Sequence, residues 1–346
     1  MCADAGGYCT RESTLSAIVE RCHLPAPPPA PPPVPPSPPI SDRLWPPVQT
    51  IHRTPGIATA AQGSFSFCLR NSSDTPAILE AAFARYARIL FPGRSGQPQP
   101  ACGAAIQEPE LGQFALRSLD VFVETLADDL TATVDESYTL DVKPAAGSST
   151  ATVRAKTVFG VLRSLETFAQ LSSDDGDGTS VSIASAEVSD APSYAWRGVM
   201  VDSGRRFWPV DMLKWLMDAM QANKLNVLHL HLSDFCRYAV ESKAFPGLTA
   251  NLTGLQAGSY TRGDVANIVQ YAKMRGIRVV PELDLPGHAR GLLPLEQHGL
   301  QFCEPTSSTR SQLYDDAENR TFGVLSTLLA ELAQLFPDEV LNIGSD

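Results

Sequence analysis

The chain has 346 residues, 43% of them hydrophobic and 19% charged, which is enough apolar content for a sizeable core and excludes wholesale disorder. It holds no unbroken apolar run of the ~18 residues a spanning helix needs, so no membrane span is expected. With 27 basic and 38 acidic residues, a net charge of −11 and no basic block, nucleic acid and anionic lipid are poor partners.

Eleven of the 28 prolines fall between Pro25 and Pro39. Such a stretch cannot pack a core, so residues 1–40 are expected to be a disordered leader with an extended polyproline II linker. Met1–Leu24 lacks the apolar run of a signal peptide. The seven cysteines, at 2, 9, 22, 68, 102, 236 and 303, include no Cys-x-x-Cys pair, so no metal site is expected. Their wide spacing fits either free thiols or long-range disulfides. Three of the seven asparagines, Asn71, Asn251 and Asn319, open N-x-S/T sequons and are glycosylation candidates. The sequons lean toward a secretory protein; the missing signal peptide leans the other way.

Residues 41–192 mix short strands with two helices. Ser64–Leu69 alternates as a half-buried strand does. Thr75-Pro76 opens a helix whose apolar face is Ile78, Leu79, Ala82, Phe83, Tyr86, Ile89 and Leu90, and Pro92-Gly93 stops it. Strands are expected at Leu116–Glu124, Tyr138–Val142, Ala151–Ala155 and Val181–Val188, with a second helix over Lys156–Leu171. The pattern is that of a small α+β sheet domain with a structural role.

Residues 193–346 change character. Strands at Arg197–Asp202, Asn226–Leu232, Ile277–Leu283 and Val340–Ile343 alternate with helices at Pro209–Asn223, Thr261–Arg275 and from Asn319 or Thr321 to Phe336. Thr261-Arg-Gly-Asp264 reads as a capping box with Asp in place of Glu or Gln. Alternation with short connections means parallel βα units. Polar residues gather where the strands end: Asp202 and Arg205, then His229, His231 and Asp234, then Glu282, Asp284 and His288, then Asp346. In a (β/α)8 TIM barrel those ends share the face that carries the active site.

Three segments carry a resemblance: Trp196-Arg-Gly-Val-Met-Val-Asp-Ser-Gly-Arg205, Asn223-Lys-Leu-Asn-Val-Leu-His-Leu-His-Leu-Ser-Asp234 and Gly276-Ile-Arg-Val-Val-Pro-Glu-Leu-Asp-Leu-Pro-Gly-His288. Together they resemble the family 20 glycoside hydrolases, the β-N-acetylhexosaminidases, from about Leu44 to the C-terminus. The resemblance implies the family's α+β N-terminal sheet domain followed by the first half of a (β/α)8 TIM barrel, strands 1–4. It implies hydrolysis of terminal non-reducing β-linked N-acetylhexosamines from glycans or chito-oligosaccharides, without a cofactor. A lysosomal, vacuolar or extracellular location is implied as well, and a homodimer of the full-length parent is left open. Neither glucosamine nor galactosamine preference is legible.

Carried over by residue, Arg197 is expected to bind hydroxyls of the non-reducing sugar, the alternative being an ion pair with Glu282 or Asp284. Asp234 and His288 match the carboxylate and imidazole behind the catalytic pair, with Glu282 and Asp284 in support. His229 and His231, two apart, share a strand face, and His231 is expected to support the site without reacting. Asp346 matches the first acid of the family's Gly-Gly-Asp-Glu. In that chemistry the substrate's own acetamido oxygen attacks the anomeric carbon, the aspartate holds the acetamido N–H, and the following glutamate is the general acid and base. This chain reads Gly344-Ser-Asp346 and stops, so the chain alone is expected to be inactive; a non-catalytic or misfolded shortened product, and another barrel glycosidase for amino sugars, are the alternatives. Ser345 and Phe235-Cys-Arg-Tyr238 depart from the family pattern. Cys68 and Cys102 match a disulfide of the family's lysosomal members, and the partner matching Cys303 would lie past the glutamate.

Overall fold

The computed structural model describes residues 44–93, 99–103, 114–176, 178–235, 237–250, 252, 257–303 and 312–345. The leader and proline stretch, Cys236, Asn251 and Asp346 lie outside the described residues.

In the first block, β1 (Thr50–Ala61), β2 (Ser66–Leu69), α1 (Ala77–Leu90), β3 (Leu116–Thr125), β4 (Tyr138–Lys143), β5 (Ser149–Thr157), α2 (Val158–Gln170), β6 (Ser172–Asp174) and β7 (Ser180–Asp190) follow in chain order. The strands form one mixed sheet ordered β1-β7-β4-β5-β3-β2, with β6 added beside β7. Strands β2, β3 and β5 run parallel; the other pairings are antiparallel. Both helices share one core with the sheet, with Leu79, Phe83, Leu162, Leu165 and Phe168 buried alongside Val121, Val153 and Ile183. Helix α2 is buried from Val158 to Phe168, polar Arg163, Ser164, Glu166 and Thr167 included. A helix so enclosed has a neighbour on both sides: the sheet on one, the second block on the other. Cys68 and Cys102 form a disulfide with a Cα–Cα distance of 5.7 Å.

The longest strand, β1, escapes the sequence reading. Apart from half-buried Ile51, its residues are exposed through Gly56–Ile57, so no apolar alternation marks them, and its register on β7 shifts between Arg53 and Ile57. The short β6 has no apolar residue to mark it.

The second block runs β8 (Gly198–Asp202), α3 (Val210–Ala222), β9 (Val227–His231), α4 (Arg262–Lys273), β10 (Arg278–Leu285), a 3-10 helix (Arg290–His298), β11 (Gln301–Phe302), β12 (Leu313–Tyr314), α5 (Arg320–Leu335) and β13 (Asn342–Gly344). Strands β8, β9, β10 and β13 form a four-stranded, all-parallel sheet in sequence order. Parallel sheets bury both faces, and β10 is buried from Arg278 to Asp284. The capping box is formed: the Thr261 hydroxyl accepts from Asp264 N–H and the Asp264 carboxylate accepts from Thr261 N–H, each at 3.0 Å. The 3-10 helix and the β11–β12 hairpin, both in the β10–α5 connection, are additions to the expected elements.

Buried charges join the blocks. Glu136 accepts from Arg163 at 2.6 Å and from Arg197 at 2.5 Å. Arg163 also donates to the carbonyls of Arg275 and Gly276. Lys224 donates to Asp190 and Tyr138, and Tyr86 bridges Glu166 and Gln221.

Candidate active site

The register of the parallel sheet aligns one residue from each strand. Asp202 on β8 pairs with His231 on β9, His231 with Glu282 on β10, and Glu282 with Asn342 on β13. In-register parallel partners point to the same face, and residues two apart share it, so His229 and Asp284 join this row. The intervening residues, Val201, Leu228, Leu230 and Leu283, point the other way into the helix-side core. Alternation therefore separates an apolar, helix-side face from one that carries this polar row beside Met200 and Val280 and that no helix covers among the described residues.

The row is tied together by hydrogen bonds. His231 Nδ1 lies 3.0 Å from Glu282 Oε2, and its Nε2 lies 2.9 Å from Asp234 Oδ2. His229 Nε2 reaches the same Glu282 oxygen at 2.6 Å. Asp234 is fully buried and also meets Arg205 Nη2 at 2.7 Å, His288 Nδ1 at 3.3 Å and the Phe235 N–H. Arg205 is anchored in turn by Asp202 at 2.6 Å. Burial opposes charge on His231, but its bonds to Asp234 and Glu282 outweigh that and raise its pKa to about 9. Burial likewise works against the Asp234 carboxylate; the donors from His231, Phe235 and Arg205 overcome it and hold its pKa below the ordinary value.

Local backbone brings these loops together. Ser203 and Gly204 N–H both donate to the His231 carbonyl at 2.9 Å. A Cβ on Gly204 would stand 2.6 Å from the Ser233 carbonyl carbon, so only glycine lets the β8 loop lie on the Asp234 loop. Ser233 Oγ accepts from Asp284 N–H, and Gly291 N–H donates to the Asp234 carbonyl. His288 sits at φ 49°, in the left-handed region, just after Pro286-Gly287. Ser345 N–H donates to the Leu285 carbonyl, which brings the end of β13 beside the β10 exit.

Of the residues singled out from sequence, Asp234, His288, Glu282 and Asp284 come together here. Arg197 does not. It precedes β8, at the opposite end of the strand from Asp202, and its guanidinium donates to Lys224 O, Tyr194 O and Glu136. Sugar binding by Arg197 is thereby corrected: every nitrogen is engaged at the block interface, and its carboxylate partner is Glu136, not Glu282 or Asp284. The arginine that does reach the rim is Arg205. Its signal in the sequence was the Asp202-x-x-Arg205 turn immediately after an apolar strand.

Three overlapping groups bring ligand-type atoms within 4.8 Å: Asp202, His231 and Asp234; His231, Glu282 and Asp284; and Asp234, Asp284 and His288. Every group includes His231 or Asp234. With carboxylates at both nitrogens His231 has no lone pair for a cation, and Asp234 already accepts from four donors. Among the sequons, Asn71 and Asn319 are exposed, and the Asn71 amide also bonds the Val123 backbone. Cys303 is a half-buried free thiol.

The second block, residues 194–346, matches the model of the glycosyl hydrolase family 20 catalytic domain, and residues 44–171 match the beta-acetyl hexosaminidase-like domain. Beta-hexosaminidase 1 of Arabidopsis thaliana is 37% identical over 276 residues, covering 78% of this chain and 49% of that protein. The beta-hexosaminidase subunit beta of Homo sapiens is 33% identical over 311 residues, covering 88% and 54%. Among solved structures, a chitobiase of Flavobacterium johnsoniae superposes with a TM-score of 0.68 at 29% identity, covering 88% of this chain and 44% of that one. The β-N-acetylhexosaminidase of Streptomyces coelicolor A3(2) gives 0.65 at 27% identity, covering 88% and 60%. The chain thus spans about half the length of the curated relatives it matches.

Proposed function

Because this chain belongs to glycosyl hydrolase family 20, we propose that it supplies the N-terminal domain and the first four βα units of a β-N-acetylhexosaminidase barrel. The whole protein would remove terminal non-reducing β-linked N-acetylhexosamines from glycans or chito-oligosaccharides. The observation that carries this reading is the buried Asp234, which accepts at once from His288, Arg205 and His231 at the C-terminal end of a parallel sheet. Charged donors and acceptors there suit a polyhydroxylated sugar, and Arg205, anchored by Asp202, offers its planar fork to sugar hydroxyls. Asp346 would hold the acetamido N–H as that group's oxygen attacks the anomeric carbon. A glutamate after it would protonate the leaving oxygen and then activate water. His288, held at Nδ1 by Asp234, would serve that pair.

The test compares the 346-residue chain with a version extended by the family's following glutamate and remaining strands, on a chromogenic N-acetyl-β-glucosaminide. Turnover is expected only from the extended version. Turnover by the short chain alone would overturn the need for that glutamate, and none from either would overturn the glycosidase reading. The Cys68–Cys102 disulfide and the sequons support a lysosomal, vacuolar or extracellular setting. Among the described residues no helix is long and apolar enough to cross a membrane.

A further inference from the structure

We propose that His231 is a positioning residue: a doubly protonated clamp between Asp234 and Glu282 that keeps Asp234 charged and thereby selects the ring tautomer of His288. This deepens the glycosidase reading and rests on it only for what His288 then does to substrate.

The argument begins with donors and acceptors. A neutral imidazole has one N–H and one lone pair. Both nitrogens of His231 face carboxylate oxygens, Asp234 Oδ2 at 2.9 Å and Glu282 Oε2 at 3.0 Å. A neutral ring would set a lone pair against one of two carboxylates that are themselves buried. With both nitrogens protonated, one ring donates to both carboxylates and offsets one of their two charges. Every neighbouring element adds to the field. Asp202 comes from β8, His229 from β9, Asp284 beside Glu282 from β10, Asn342 from β13 and Arg205 from the loop after β8. The raised pKa of His231, about 9, agrees with this geometry.

The consequence falls on His288. Its Nδ1 lies 3.3 Å from Asp234 Oδ1 and also 3.3 Å from Arg205 Nη2. The carboxylate wants a proton on that nitrogen; the guanidinium wants a lone pair. A charged Asp234 wins, which puts the proton on Nδ1. If Asp234 loses its clamp, it either takes a proton or turns away, and Arg205 then favours the other tautomer.

The test is nitrogen-15 NMR of the six-histidine, 346-residue chain with labelled histidine rings, from pH 5 to 11, assigned by single substitutions. In the native chain His231 is expected to show two protonated nitrogens at neutral pH and to lose one near pH 9. In H231Q, the His288 Nδ1 and Nε2 signals are expected to exchange character. E282Q, which keeps an isosteric hydrogen-bonding group and so protects the fold, is expected to lower the His231 midpoint by about one pH unit or more. An ordinary His231 midpoint in the native chain, or a His288 ring unchanged in H231Q, would overturn the proposal. If H231Q does not fold, an unshifted His231 midpoint in E282Q does so. Absent hydrolysis by the extended enzyme would overturn the glycosidase reading and leave these ring states as they are.

Discussion

At the scale of single residues, the buried charges show what each end of the second sheet does. Glu136 is 4% exposed and serves two arginines, Arg163 and Arg197, at the interface between the blocks. Truncating it leaves both guanidinium groups short of their anion, Arg163 in a buried site and Arg197 in a largely buried one. Glu136→Ala is therefore expected to destabilise the chain by about 3–5 kcal/mol, read from urea denaturation. A loss within experimental error would mean that the arginines find other acceptors. At the opposite end, His231 links stability to pH. Its folded pKa lies above the unfolded value, so its contribution is complete below the unfolded pKa, near ~6.5. That contribution is lost as pH rises through about 9. Thermal midpoints measured across this window should fall more steeply in the native chain than in H231Q. Parallel curves would show that His231 carries no linked proton.

At the scale of elements, α4 depends on its reciprocal cap. Thr261→Ala removes the acceptor for Asp264 N–H and should cost about 1 kcal/mol, visible as faster amide exchange in the first turn of α4. The Cys68–Cys102 bridge closes a separation of 34 residues that includes α1, and reducing it should cost ~4 kcal/mol if constraint of the unfolded chain dominates. The cap and the helices and strands of the second block were legible because they follow local rules: a cap at fixed spacing, an apolar face at helical period, a buried run such as Arg278–Asp284. Cysteine spacing left the bridge open, and only the family resemblance implied it. Strand β1 was not legible, because its outer half faces solvent and is held by β7, a partner more than 120 residues away. The role of Arg197 was not legible for the same kind of reason. Its partner Glu136 lies 61 positions earlier, on a connection between strands whose placement only the packed blocks reveal. Asp234 and His288, by contrast, stood in long ordered motifs at strand ends, and their juxtaposition was readable even though the clamp between Asp234 and Glu282 was not.

At the scale of the whole molecule, the second sheet ends in two strands that have one partner each among the described residues. Among the described residues β8 pairs only with β9, and β13 only with β10. Parallel strands normally have both neighbours and both faces covered, and an uncovered edge is a template for another chain. The apolar exposure follows the same flanks: Met200 on β8 is 54% exposed, Trp215 on α3 74%, Phe322 on α5 64% and Ile343 on β13 49%. In a closed barrel these flanks would lie against the later βα units. Left open, they should drive association at a strength set by apolar area, so the 346-residue chain is expected to self-associate with rising concentration. Light scattering over a dilution series reads this directly. Lysine at Met200, Trp215 and Ile343 together should lower the apparent mass, whereas lysine at an exposed polar position such as Ser189 on the first sheet should leave it unchanged. A native chain that stays monodisperse and monomeric, with a cooperative thermal transition, would show that the open edges are covered by something other than a neighbouring copy.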